Sequence, residues 1–456
     1  LDGFVDRHPD SALARTLPRC RRYSTHASDT CALSPWITWP TVHRGVNNER
    51  HGILHFGQDL SDADVAYPPI WQILARAGVS TGVFGPLHSS PLPEDANRYA
   101  FYLPDTFAHT ADARPKALEA FQAFNLAMAR QSTRNVSRSL DLPSLVRFLL
   151  RAPSLGFRPA TVASILGQLL DERREPWKST RRRTYQSVVA FDLFMRQLER
   201  QLPDFSNCFT NHVASAMHRY WAALHPEEFD DLELSEDWQR KFHGEIDFAM
   251  GWADRFFARL VAFTDRHPEF VLMVASSMGQ QAAHGERVET QLYLRKPGRL
   301  LEQAGLREGE WEQRPAMDPT VSLYVPEEKR AALEDFLDSV TIAGEAIRYS
   351  TEKKGFFDLV FGQPDIDPSK DKLLIDGQEF AYEDLGFELT MIEDEAGSTG
   401  YHQPNGIVLV YDPRDRGEHP HQGTIETTEI APALLEHFGV DVPEYMCPSD
   451  RLVIAN

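Results

Sequence analysis

The sequence predicts an α/β protein with a mostly parallel sheet flanked by helices, and three stretches carry that prediction. "YPPIWQILARAGVSTGVFG" (67–85) reads as a helix opened by Pro68 and Pro69 and ended by Gly78, then a short buried strand from Val79 to Phe84. Helix followed by strand is half of a βαβ repeat, the unit from which parallel sheets are built. "EIDFAMGWADRFFARLVAFTDRHP" (245–268) is a long amphipathic helix that feeds a second such strand, Val271 to Ala275. That strand ends in the tight turn Ser276-Ser277-Met278-Gly279. Ligands in α/β proteins sit at the carboxyl ends of strands, so two serines and a methionine at such an end need explaining.

The remaining elements follow along the chain. "LDGF" (1–4) reads as the end of a strand and a turn, with Asp2 at a ligand-like position; the sequence is then expected to be a fragment lacking its first strand. A plain Asp-Gly turn is the structural alternative. Residues 111–200 are helical and polar, in the segments 114–131, 142–152, 161–174 and 185–202. Phe205 to Thr210 is a strand and "NHVASAMHRYWAALHPEEF" (211–229) a helix. Short strands ("TQLYLR", "TVSLYV", "EAIRYS", "FFDLVF") and the helix "PEEKRAALEDFLDSV" then make 286–398 an inserted α+β subdomain. "NGIVLVYDP" (405–413) and "TTEIAPALLEHFG" (427–439) return to the core. The expected organisation is a core over 1–285 with a helical insertion at 111–200, the inserted subdomain at 286–398, and a return to the core over 399–456.

Bulk properties narrow the function. A net charge of −20 argues against broad nucleic-acid binding through phosphate neutralisation. The basic run "WKSTRRRTYQ" (177–186) reads as a solvated helix face, with contact to an anionic substrate or a lipid surface as the alternative. No apolar run is long enough to span a bilayer, and no signal peptide is read, which favours the cytoplasm. Cys20, Cys31, Cys208 and Cys447 form no C-x-x-C pair and give no zinc site.

Three stretches carry candidate chemistry. "SPWITWPTVHRGVNNERHGI" (34–53) holds Ser34, Thr38 and Thr41, hydroxyls that a helix N-terminus and a divalent cation would activate, or that simply cap the helix. "TNHVASAMHRYW" (210–221) places Asn211, Ala214 and His218 on one helix face, where His218 is a metal ligand or a packed polar residue. "GSTGYHQPNGIVLV" (397–410) sets His402 in a loop just before a strand.

The order of these stretches resembles the alkaline phosphatase superfamily, and within it the type I phosphodiesterase/nucleotide pyrophosphatase branch. "LDGF" is similar to the family's first metal-ligand strand end, "TWPTVHRGVNNERHGI" to its nucleophile helix, and "VFGPLHSSPLP" to the strand and loop that follow. "MHRYWAALHPEEF" is similar to its His-x-x-Trp ligand helix, "TGYHQPNGIVLV" to its late Gly-x-His-x-Pro-x-Gly loop, and "ETTEIAPALLEHFGVDVPEYM" to its last helix. The resemblance covers roughly 1–85, 205–285 and 399–456 and implies an alkaline-phosphatase-like core. It also implies hydrolysis of a phosphoric ester through a Thr or Ser nucleophile and two divalent metals.

Position by position, the resemblance implies Asp2, His218 and His402 as metal ligands and Thr38 as nucleophile, with Ser34 or Thr41 as alternatives because the spacing from Thr38 to Gly45 is short. The Asp expected four residues before His218 falls on Ala214, and Asn211 or His212 is the substitute. The family's Asp-His metal pair falls on Ser277-Met278, and neither side chain suits zinc or manganese. His51, His55, His88 and His284 are further histidines that the sequence alone does not place. The resemblance thus implies zinc or manganese at fewer than two per chain, and a small phosphate or sulfate ester as substrate. A catalytically inactive relative that binds through the old pocket or the 286–398 insertion is the alternative.

Overall fold

The computed structural model describes residues 1–131, 157–229, 232, 234–284, 288–317, 319–352, 355–361, 363–391, 397–449 and 451–455. The helix expected at 142–152 lies outside the described residues.

The α/β class holds. Two sheets form the core. The first contains β1 (Arg21–His26), β5 (Leu272–Ala275), β8 (Asn405–Tyr411) and β9 (His421–Glu426) in the order β9-β1-β8-β5. The second contains β2 (Thr81–Phe84), β3 (Tyr99–Leu103) and β4 (Phe205–Cys208) in the order β3-β2-β4, all parallel. β1 and β9 are parallel, whereas β8 runs against both β1 and β5. A two-stranded ladder of β6 (Gly279–Ala282) and β7 (Gly400–Gln403) extends from the same end. His26 lies opposite Asn405, and Ala275 opposite Val408, so the carboxyl ends of β1 and β5 and the start of β8 meet at one edge.

Local chemistry explains the helices that border this edge. α2 (Pro35–Arg44) has Pro at its first turn, where a missing N–H costs nothing. It ends at Gly45, whose φ of 65° is the left-handed conformation of a helix C-cap. α3 (Ile70–Arg76) follows Pro68-Pro69 and buries Ile70, Trp71, Leu74 and Ala75. α4 (Arg182–Gln201), α5 (His212–Leu224), α6 (Glu245–Arg266) and α7 (Ile430–His437) are the helices that the sequence periodicity predicts. α5 and α6 close one core over Ala216, Tyr220, Ala249 and Met250 together with Leu409 and Tyr411 of β8.

One expectation from the sequence is corrected by the fold. Residues 2–7 are not a strand end but α1 (Asp2–Arg7). Its Asp2 carboxylate accepts from Arg22 at 2.6 Å and is largely exposed. Arg22 is the second residue of β1, whereas His26 closes it. Asp2 therefore stands at the amino edge of the sheet, the far side from the strand ends where ligands bind.

Between β6 and β7 the chain builds a unit with its own apolar cluster, which includes Leu292, Leu300, Leu323, Leu337, Phe357 and Phe387. Its strands include Thr290–Leu294, Thr320–Tyr324, Arg348–Glu352, Phe356–Val360 and Phe387–Met391. Thr290–Leu294 pairs antiparallel with Phe387–Met391, so the excursion leaves and returns side by side.

A candidate metal site beside the amino end of a helix

The β6–β7 ladder packs on α5 so closely that a Cβ on Gly400 would lie 2.4 Å from the Met217 carbonyl oxygen. The Thr399 N–H donates to the His218 carbonyl at 2.9 Å, and the Thr399 hydroxyl accepts from the Ala222 N–H at 3.1 Å. This contact brings together two histidines that are 184 residues apart in sequence. His218 Nε2 and His402 Nε2 stand 3.1 Å from each other.

The outer nitrogen of each ring fixes its tautomer. His218 Nδ1 lies 2.7 Å from the Gly400 carbonyl and His402 Nδ1 lies 2.8 Å from the Leu33 carbonyl. A carbonyl only accepts, so each Nδ1 carries a proton and donates it. Burial pushes His218 down to about 4, and burial also lowers His402 below the ordinary histidine value, so both rings are neutral near pH 7. Two neutral rings that protonate Nδ1 face each other with bare Nε2 lone pairs. That contact is repulsive unless a cation accepts both pairs. A water bridging two acceptors would hold them about 4.5 Å apart or more, whereas two tetrahedral zinc–imidazole bonds set the nitrogens about 3.3 Å apart. The donor chemistry therefore fits a divalent cation.

The same histidines locate a hydroxyl. Leu33, which holds His402, immediately precedes Ser34, the N-cap of α2. The Ser34 hydroxyl makes no capping bond, although Ser34 is only 7% exposed. Thr38 sits one turn further in, fully buried. Its hydroxyl lies 2.8 Å from Ser277 Oγ, to which it donates, and 3.2 Å from the Ser34 carbonyl. Here is the explanation of the serine-rich strand end. Ser277 fastens α2 to the turn after β5, while the Ser276 hydroxyl accepts from the Ile407 N–H at 2.9 Å and holds β5 to β8. Thr41 serves a third purpose: its hydroxyl donates to Asp29 Oδ1 at 2.6 Å and lies 3.1 Å from His51 Nε2. His51 Nδ1 accepts from the Ile53 N–H, so Nε2 bears the proton and donates to Thr41.

The structure separates the other sequence candidates from this pair. Asp2 is at the opposite edge of the sheet. Asn211 is the exposed residue before α5, two turns or about 10 Å along the axis from His218. His212 points into the core against Phe256. His55 pairs with Asp358 at 3.2 Å, His88 lies 2.7 Å from the Trp36 carbonyl, and His284 packs on Phe229.

Two features are not anticipated by the sequence motifs. Asp29, in the loop after β1, is half-buried; burial raises its carboxyl above the usual range, and its Oδ2 meets no partner. The strand that precedes it, "RRYSTH", alternates buried and half-buried residues in the fold, but its polar composition gives no sequence signal. His225, Glu227 and Glu228 bring ligand atoms within 4.8 Å of one another just past α5. That group is exposed and is accounted for by ion pairs, with His225 Nδ1 3.3 Å from Glu227 Oε1.

No protein-family model matches the sequence, and no curated protein sequence matches it. Solved structures similar to the chain include murine ectonucleotide pyrophosphatase/phosphodiesterase 5, at 12% identity and a TM-score of 0.40 over 97% of this chain and 94% of that one. An inactive variant of the same murine protein in complex with AMP gives the same values. A variant of TAB5 alkaline phosphatase with magnesium bound is similar at 12% identity and a TM-score of 0.33, over 95% of this chain and 91% of that one. These are the kinds of protein that the sequence motifs resemble. At such identities and TM-scores the likeness says nothing about activity, so any chemistry must come from the geometry of the chain itself.

Proposed function

We propose that this chain is a phosphoric-ester hydrolase that holds one divalent cation, zinc or manganese, on His218 and His402 and uses Ser34 as its nucleophile. One observation carries the reading: two half-buried, neutral histidines present bare Nε2 atoms to each other at 3.1 Å, and the His402 ring is held through Nδ1 by Leu33, the residue before the N-cap position of α2. Ser34 replaces Thr38 as the favoured nucleophile because Thr38 is fully buried and its proton is committed to Ser277.

When bound, the cation supplies a Lewis acid that draws a phosphate oxygen and lowers the pKa of a nearby hydroxyl. The protein residues have separate tasks. His218 and His402 are aimed by the Gly400 and Leu33 carbonyls and need no reorientation to accept a cation. Ser34 lies at the positive end of the α2 dipole, which stabilises both a phosphate and a developing serine alkoxide. Its Oγ would attack phosphorus, forming one P–O bond while the bond to the departing alcohol breaks; the proton leaves with the alcohol. Water then attacks the phosphoserine, restores the Ser34 hydroxyl and releases phosphate.

A second reading has specific support. The positions where the family resemblance implies an Asp-His pair hold Ser277, which is buried on Thr38, and Met278. A scaffold with one cation and no second would favour binding an anionic ester over turning it over. The test is hydrolysis of nitrophenyl phosphate mono- and diesters and a nitrophenyl sulfate, with zinc or manganese added. The hydrolase reading predicts metal-dependent turnover of at least one ester, lost on Ser34→Ala. Saturable binding of the esters without turnover would leave the binding reading.

A further inference from the structure

Resting on the proposed cation site, we infer that Gln280 is its third protein ligand, through the amide oxygen. Gln280 lies directly opposite His402 in the antiparallel β6–β7 ladder. Directly opposed residues project from the same face, with Cβ atoms about 5 Å apart. That face is the one turned to α5. Tyr401 and Gln281, which alternate with the pair, are exposed, whereas Gly400 on the inner face abuts the Met217 backbone.

The amide's orientation is fixed by its neighbour. Gln280 Nε2 donates to the Ala214 carbonyl at 3.3 Å. Because a carbonyl cannot donate, exchanging the amide's nitrogen and oxygen would set two acceptors against each other. Oε1 is thereby turned elsewhere, and it is buried with no donor. A buried acceptor without a donor is unfavourable, and a cation relieves that. Ala214 lies one turn before His218 on the same stripe of α5. The anchor that orients Gln280 is thus on the helix face that carries one histidine, and its ladder partner is the other.

The resulting set is two imidazole nitrogens and one amide oxygen, with every ligand neutral. Three ligands with a fourth position open is the arrangement of a catalytic zinc site. Without a carboxylate, the full double charge of the ion stays available to an anionic ester. The same lack of charge makes the site weaker than one with an aspartate.

The experiment is calorimetric titration of the full chain with zinc chloride at pH 7.5, for wild type, Gln280→Met, Gln280→Glu and His218→Ala. Visible absorption of the cobalt-loaded proteins reports the ligand set. Gln280→Met, of similar volume, is expected to weaken zinc binding by about 10- to 100-fold. Gln280→Glu is expected to tighten it about tenfold or more, and both should move the cobalt bands. Affinities and cobalt spectra that are unchanged in both variants, with zinc still lost in His218→Ala, would overturn the role of Gln280 and leave the histidine site standing. No zinc binding by wild type would overturn the histidine site itself. If Gln280→Met does not fold, Gln280→Glu decides: an affinity no tighter than wild type refutes the proposal.

Discussion

Replacing Thr38 by Val tests whether this hydroxyl fastens the fold or carries the chemistry. The substitution keeps the shape of the side chain and removes one oxygen. That oxygen is fully buried and donates to Ser277 Oγ at 2.8 Å, and Ser277 is itself 2% exposed. The variant loses one hydrogen bond and leaves the Ser277 hydroxyl facing a methyl group. A lost neutral bond with a stranded partner costs about 1–3 kcal/mol, which lowers the melting temperature by about 1–3 °C in a chain of this size. The cost comes mainly from the stranded partner. Adding Ser277→Ala to Thr38→Val should therefore restore about 1 kcal/mol, a coupling that a double-mutant cycle reads directly. Thermal unfolding followed by circular dichroism gives the stability, and nitrophenyl ester hydrolysis with added metal gives the activity. The account expects a less stable protein with the turnover of wild type. A Thr38→Val protein of unchanged stability but no turnover, beside a fully active Ser34→Ala, would refute the assignment of both hydroxyls.

Other perturbations have equally definite outcomes. His212 is wholly buried, and burial holds it down at about 4 against an ordinary 6.5, outweighing the weak pull of the Ala249 backbone. A folded value below the unfolded one contributes stability that is complete above pH 6.5 and is lost as pH falls towards 4; between pH 7 and pH 5 the loss is about 2 kcal/mol. His212→Leu should shrink the measured stability difference between those two pH values by that amount, and an unchanged difference would show that the ring is not buried neutral. Gly279→Ala would place a Cβ 2.2 Å from the Asn405 carbonyl oxygen, so the turn into β6 must shift, at about 3 kcal/mol by chemical denaturation. Arg44 is 1% exposed and binds Asp64 at 2.7 Å and the Tyr67 carbonyl at 2.5 Å. Arg44→Met strands both and should cost about 3 kcal/mol, in the same assay.

Helices are legible where apolar spacing and end signals agree. Pro68-Pro69 and Gly78 bracket α3, and the alternation along 245–268 gives α6. The two histidines are legible singly, because each sits in a recognisable stretch. Their meeting is not, since it depends on the tertiary docking of the β6–β7 ladder on α5. Asp2 misleads because an Asp-Gly pair reads as a turn, whereas the observed helix is held by its Phe4 side chain in the core and by Asp2 itself on Arg22. β1 is hard to read because "RRYSTH" is polar, although it lies in the middle of a sheet. β8 reads as a buried strand, but nothing in its composition reveals that it runs antiparallel to its neighbours. Motif spacing prefers Thr38 to Ser34, and only the tertiary hydrogen bonds distinguish a hydroxyl locked on Ser277 from one that makes no capping bond at the helix end.

The central claim is that His218 and His402 bind a divalent cation. Zinc and manganese content of the purified chain, after incubation with each metal and removal of excess, tests it most directly. The account predicts about one tightly held ion per chain in wild type and none in His218→Ala or His402→Ala, with all three proteins folded. A wild-type chain that retains neither metal, or one whose metal survives both substitutions, would contradict it.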